Sequence, residues 1–182
     1  MSRLNVQDIE NAPAQAQPRL RQYLKTSPTG KVLNLHGAMA YAPIVLEMYA
    51  RMRQTIEEFG ELDGGAHWAA MLAVATVNRS EYSATLYAAL GRQHGLTEKQ
   101  IQDIRAGERT GDEALDAIVA LAHEAAASNG RITPQTWNDA LAAGWSDKQL
   151  GEFFAYFGLA LFIDYFVNYS AVENDLRMPV EA

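Results

Sequence analysis

Apolar positions along this chain recur at mixed short steps, and strand-like alternation is hard to find. That spacing, with abundant Ala, Leu, Glu and Gln, predicts an all-α fold. Residues 1–28 have no such period. Pro13 and Pro18 punctuate them and Ser27-Pro28-Thr29-Gly30 closes them, so they read as an irregular N-terminal arm before a single helical domain over 29–182. A short helix over 31–40 is expected next. Ala42-Pro43 then opens a longer one to about Glu58, with Ile44, Leu46, Met48, Tyr49 and Met52 as its apolar positions and Gly60 as its stop.

Asp63 is the expected cap of a helix through His67 and Met71 to Val77, and Asn78-Arg79-Ser80 breaks the pattern. Ser80 is the expected N-cap of a helix that ends near His94, before Gly95. Further helices are expected over 98–106 and 112–128, then from Thr133-Pro134 with proline at the first helical position, and from Asp147 to about Asn168. Gly95-Leu96-Thr97-Glu98-Lys99-Gln100-Ile101 is echoed by Gly144-Trp145-Ser146-Asp147-Lys148-Gln149-Leu150. In both copies Gly ends one helix, Thr or Ser caps the next, and Gln completes a capping box. Convergence of helix–Gly–helix junctions and a duplicated two-helix unit account for the echo equally well.

Composition narrows the function. A chain of 182 residues with 48% hydrophobic and 20% charged residues is globular and of one-domain size. Its net charge of −7 speaks against nucleic acid as a partner. The apolar run Phe153–Ile163 stops at Asp164, short of the roughly 20 residues a membrane span needs, and reads as a core helix. The N-terminus shows no signal-peptide pattern, so the cytoplasm is the expected compartment. With no cysteine, thiol nucleophiles, thiolate metal sites and disulfides are excluded.

The stretch from Trp68 to Tyr87, with Ser80-Glu81-Tyr82-Ser83 inside it and the Gly95-Leu96-Thr97-Glu98 junction after it, is similar to the core motif of the carboxymuconolactone decarboxylase / alkylhydroperoxidase D-like family. The similarity extends from about Leu33 through the Asn129-Gly130-Arg131-Ile132-Thr133 turn to the Asn168–Pro179 tail, and is nearest to peroxidase-related members. The resemblance implies an all-α bundle assembled as a dimer, trimer or hexamer.

It also implies an altered site. Ser80 and Ser83 stand where the family's two cysteines belong, with Glu81-Tyr82 retained between them, Tyr87 stands for the histidine and Trp68 for the glutamate. A serine shares the help of a helix N-terminus but has a far higher pKa and no reversible redox couple, so thiol peroxidase activity is expected to be absent. The decarboxylase branch also lacks the cysteines but keeps the histidine, again at the position of Tyr87. Two readings follow: a redox-inactive member that binds a small organic molecule without a cofactor, or a cofactor-free decarboxylase- or lyase-like enzyme using Tyr87, Ser83 or His67 on a small organic acid. A third casts the oligomer surface itself as the functional feature. Trp68 and Glu81 are expected pocket residues. No metal motif involves His36, His67, His94 or His123, and His36 and His94 read as structural. Arg51 and Arg53 read as part of a solvated face, and Asp164 and Asn168 as buried polar groups in need of partners.

Overall fold

The computed structural model describes residues 2–27, 29–62 and 64–176, and these form helices joined by short connections with no strand among them. The helices are α1 Gln17–Lys25, α2 Asn34–Ala40, α3 Pro43–Phe59, α4 Gly64–Val77, α5 Glu81–Gln93, α6 Glu98–Ala106, α7 Glu113–Ala127, α8 Pro134–Ala142 and α9 Asp147–Ser170. The expected cap Asp63 and residues 177–179 of the tail lie outside the described residues.

α4 has no polar face, and every residue from Ala69 to Ala75 is buried. A helix apolar on all sides must be surrounded. α5, α7 and α9 pack along it, α6 adds to one side, and its small side chains let these neighbours approach closely. α3 closes the far side of α9, and α2 and α1 lean on α3. Of the described helices α9 alone is long and apolar enough, by length and composition, to cross a membrane. Half of that stretch is buried inside the bundle, as expected of a core helix.

Residues 1–28 differ from the irregular arm expected. They contain α1, whose Pro18 occupies the first turn, where a missing N–H costs nothing. Ala12, Ala16, Leu20 and Tyr23 enter the main core. The chain before α1 is also tied down. The Gln7 amide donates to the Gly37 carbonyl at 3.0 Å, and a Cβ on Gly37 would lie 2.6 Å from the Gln7 oxygen, so this contact requires glycine.

The two echoed junctions fold alike. Gly95 and Gly144 adopt left-handed φ of 95° and 99°, and Thr97 and Ser146 each complete a capping box with the glutamine three residues on. The Leu96 and Trp145 amides each reach back five residues, to the carbonyls of Gly91 and Ala140. Thr97→Ala and Ser146→Ala should each lower stability by about 1 kcal/mol. Urea unfolding of both variants checks this, with equal midpoint shifts and an unchanged slope expected.

Candidate functional site

The turn between α4 and α5 sets the site. Arg79 takes a left-handed φ of 52°, and the Ser80 amide closes back on the Ala75 carbonyl at 2.9 Å. This ends α4 and turns the Ser80 side chain inward. Ser80 stands at the N-cap of α5 as expected, but its hydroxyl caps nothing. It donates instead to the Ser83 hydroxyl at 2.9 Å, and both serines are fully buried. The two positions thus sit one helical turn apart and touch, the geometry that the resemblance implies for them.

Tyr87, one further turn along, is also buried, and its ring lies 6.0 Å from that of Trp68 on α4. Both rings line a cavity of about 190 Å³ enclosed by α1, α2, α3, α4, α5 and α9. Its wall is otherwise mostly apolar, with Met71, Leu86, Leu159 and Ile163 prominent.

A second group of polar side chains reaches the cavity from helices that the sequence motif does not cover. His36 on α2 stacks on Tyr23 of α1, ring centroids 4.2 Å apart. Its Nε2 shares a 3.4 Å contact with the Tyr49 hydroxyl. Arg53 lies beside Tyr49 on α3 and pairs with Glu57 at 2.5 Å. Burial, aided by the charge of Arg53, lowers the His36 pKa to about 3, so the ring is neutral at any ordinary pH. The sequence placed His36 among structural residues and Arg53 on a solvated face. Both line the cavity, and α1, which completes this group, was not foreseen.

Asp164 is the remaining member. It is wholly buried on α9, where Asn78 donates to its Oδ2 at 2.8 Å. Burial raises its pKa to about 6, against the opposing pull of Ser83, Asn78 and Ser80. Burial and the charge of Asp164 hold the Tyr87 hydroxyl well above its usual pKa, while the adjacent Ser83 favours ionisation. Ser83 is therefore close to both groups, yet the Tyr87 hydroxyl and Asp164 Oδ1 each lack a well-formed hydrogen bond. Among the described residues four buried side-chain polar atoms lack a hydrogen-bond partner: His36 Nδ1, Trp68 Nε1, the Tyr87 hydroxyl and Asp164 Oδ1. Native interiors leave few such atoms. Three of the four belong to residues lining one cavity, and the fourth acts electrostatically on Tyr87.

Two expected site residues lie elsewhere. His67 precedes Trp68 but points to the other side of it, stacking on Tyr156 at 4.6 Å with its Nδ1 3.5 Å from the Leu62 carbonyl. There it lines a neighbouring depression of about 390 Å³ that shares Trp68 and Met71 with the cavity. Glu81 is exposed and pairs with Arg105 at 3.1 Å, because it lies on the solvent side of α5 while Tyr82, Ser83 and Ala84 turn to the core. Tyr82, next to it, faces inward and donates to Asp175 at 2.8 Å. Asp175 in turn accepts the Asn34 amide at 2.9 Å, tying the segment after α9 to the start of α2. No three His, Cys, Asp or Glu side chains among the described residues converge as metal ligands would.

The sequence matches no protein-family model and no curated protein. Solved structures do match the fold. An uncharacterized peroxidase-related protein from Ralstonia eutropha JMP134, described as an alkylhydroperoxidase AhpD core, superposes with a TM-score of 0.84 at 14% identity, over 96% of this chain and 92% of that one. An uncharacterized peroxidase-related protein from Silicibacter sp. TM1040 gives 0.79 at 14% identity over the same shares. The debrominase Bmp8, in a variant solved in complex with 2,3,4-tribromopyrrole, gives 0.73 at 13% identity, over 89% of this chain and 86% of that one. The fold is therefore that of the alkylhydroperoxidase D-like, peroxidase-related proteins, carried here by a chain without cysteine.

The 2.9 Å contact between the serine hydroxyls generates a test of the site's geometry. Ser80→Cys with Ser83→Cys should fold and close an intrachain disulfide with little backbone movement. Mass spectrometry with iodoacetamide trapping, before and after reduction, should find no free thiol in the oxidised form and two in the reduced form.

Proposed function

We propose that this alkylhydroperoxidase D-like protein is a redox-inactive member of the carboxymuconolactone decarboxylase / alkylhydroperoxidase D-like family that binds a small organic molecule, without a cofactor, in the cavity beside Trp68 and Tyr87. The observation that carries the reading is a largely apolar cavity lined by Trp68, Tyr87 and His36, three residues that each carry a buried polar atom without a partner. Sites for small ligands combine an apolar wall with a few convergent polar groups. An engineered apolar cavity of about 150 Å³ holds one benzene. About 190 Å³ therefore suits a single ring bearing one or two substituents. That the debrominase neighbour was solved with a brominated pyrrole, a small flat ring, supports this size class.

Trp68 and Tyr87 also explain why redox chemistry is not assigned. An indole N–H donates only, and the Tyr87 hydroxyl is held protonated far above neutral pH, so neither relays a proton as the family's glutamate and histidine would. A second reading, a cofactor-free decarboxylase- or lyase-like enzyme acting on a small organic acid, is favoured by one observation. Asp164, with its pKa near 6, lies behind Tyr87 and titrates close to neutral pH.

Binding is measured by calorimetry with benzyl alcohol and 2,3,4-tribromopyrrole as probes. Saturable 1:1 binding is expected, weakened about fivefold to tenfold by Tyr87→Phe, the equivalent of one neutral hydrogen bond of about 1 kcal/mol. No binding of either probe would overturn the first reading, and consumption of a bound organic acid would favour the second.

We further infer a homo-oligomer, dimeric, trimeric or hexameric, in the cytoplasm. α3 and α9 carry an apolar surface that includes Ile44, Met48, Phe154, Tyr165 and Tyr169, each more than half exposed. A groove of about 550 Å³ between Val45, Met52, Leu161 and Phe162 runs through it. Large apolar patches on a soluble fold mark interaction surfaces. Light scattering after size exclusion should give a multiple of 20.1 kDa, and Ile44→Glu with Tyr165→Glu should shift the protein toward the monomer.

A further inference from the structure

α2 is seven residues long, too short to hold its shape unaided. It rests on α1 and α3 at the edge of the bundle, while α4, α5 and α9 form its crowded centre. Two residues of the cavity wall travel with it, the N-cap Leu33 and His36. α5 supplies the facing pair, Leu86 and Tyr87. Whatever sets the distance between α2 and α5 therefore sets how closed the cavity is.

The segment after α9 joins the two helices. Leu33 gives α2 no side-chain cap, so its first amides depend on other parts of the chain. Asp175 Oδ2 accepts the Asn34 amide at 2.9 Å. Asp175 Oδ1 accepts the Tyr82 hydroxyl at 2.8 Å, and the oxygen of that hydroxyl in turn accepts the Leu35 amide at 3.4 Å. One carboxylate thus caps α2 both directly and through a phenol rooted in the first turn of α5, at the helix end where negative charge is favoured. The Asn34 side chain adds a bond to the Glu173 carbonyl at 3.1 Å, and the Asn174 side chain donates to the Thr85 hydroxyl at 3.0 Å. Residues 171–176 therefore grip α2 at Asn34 and α5 at Tyr82 and Thr85. Tyr82 is buried but Asp175 is only half-buried, so water competes for the carboxylate.

We propose that α2, with α1 stacked on it through Tyr23 and His36, is the door of the cavity, and that the Asp175–Tyr82 clasp is its latch. Ligands enter and leave when the carboxylate releases α2, and the latch is shut in both the free and the liganded protein. The inference rests on the cavity reading above and adds how that site is entered. Tyr82 and Asp175 are positioning residues in it, since neither lines the cavity. Such a latch governs rates rather than affinity. Weakening it raises the population of the open form, and while that form stays rare, entry and exit quicken by the same factor and Kd holds.

The probe is benzyl alcohol, its association and dissociation followed by NMR exchange on the full chain. Tyr82→Phe removes one bond to the carboxylate and should raise both rate constants about tenfold, with Kd unchanged. The chain has no cysteine, so a reversible lock can be built cleanly. Asn34→Cys with Asp175→Cys replaces the latch by a thiol pair. Exchange should be faster than in the wild type when the pair is reduced, and slower when it is oxidised to a disulfide. Should the double variant fail to fold, Tyr82→Phe alone decides.

Rate constants that stay at the wild-type value in Tyr82→Phe overturn the door and leave the cavity reading intact, as does equal exchange in the oxidised and reduced double variant. A weaker Kd carried by dissociation alone also overturns it, because the clasp would then support the bound state only. Failure of the wild type to bind the probe overturns the cavity reading, and the door falls with it.

Discussion

The absence of a polar face on α4 is the constraint from which the rest of the architecture follows. A helix in which every side chain from Ala69 to Ala75 is buried gains its stability only when other helices cover it on all sides. α5, α7 and α9 do so, and the covering fixes where the site can be. The start of α4 carries Trp68 toward Tyr87 of α5, and its end delivers Asn78 and Ser80 to Asp164 of α9. One helix therefore holds both the wall of the cavity and the polar cluster behind it. Small residues make this possible, because Ala69, Ala70, Ala73 and Ala75 keep the helix thin enough for three neighbours to share it.

Against that apolar background the buried polar groups stand out energetically. Asp164 is raised to about 6, which means that the folded protein disfavours its charged form. The sign follows from linkage: its folded pKa lies above the carboxylate reference of 3.8, so the folded state binds the proton more tightly. Asp164 therefore favours folding more at pH 4 than at pH 7, and its contribution worsens as pH rises through 6. An asparagine or a leucine would avoid this cost. A group that lowers stability at neutral pH, with one carboxylate oxygen unpartnered, fits a site better than a scaffold.

Much of the helical order was legible because helix ends announce themselves. The Thr97/Gln100 and Ser146/Gln149 capping boxes, the Thr133-Pro134 start and the Gly95 and Gly144 stops all have local physical causes, and the structure has them where the sequence put them. α1 was not legible, because Pro18 reads as a breaker unless it is known to fall in a first turn. Missing α1 meant missing Tyr23, and without Tyr23 there was no reason to see His36 as anything but structural. Arg53 misled for a similar reason, since its i,i+4 pairing with Glu57 looks like an ordinary solvated face while its neighbour Tyr49 leads inward. Ser80, Ser83, Tyr87 and Trp68 were singled out through the resemblance, and the structure sets Ser80 against Ser83 and Tyr87 beside Trp68. His67 and Glu81 were not separable from them by spacing alone, because adjacent residues on a helix point to different sides.

The exchanged residues together change what the site can do, and the direction of the change is consistent. Where the resemblance places a thiol pair there are two buried hydroxyls that satisfy one another in one direction only, Ser80 donating to Ser83. Where it places a histidine there is a phenol held protonated by burial and by a neighbouring carboxylate. Where it places a glutamate there is an indole that cannot accept a proton at all. Each replacement removes a group that shuttles between two states near neutral pH and installs one fixed in a single state. What remains titratable is Asp164, one layer back from the cavity. The cavity wall thus keeps an indole and a phenol that donate hydrogen bonds over an apolar floor, and the buried carboxyl of Asp164 acts on that phenol.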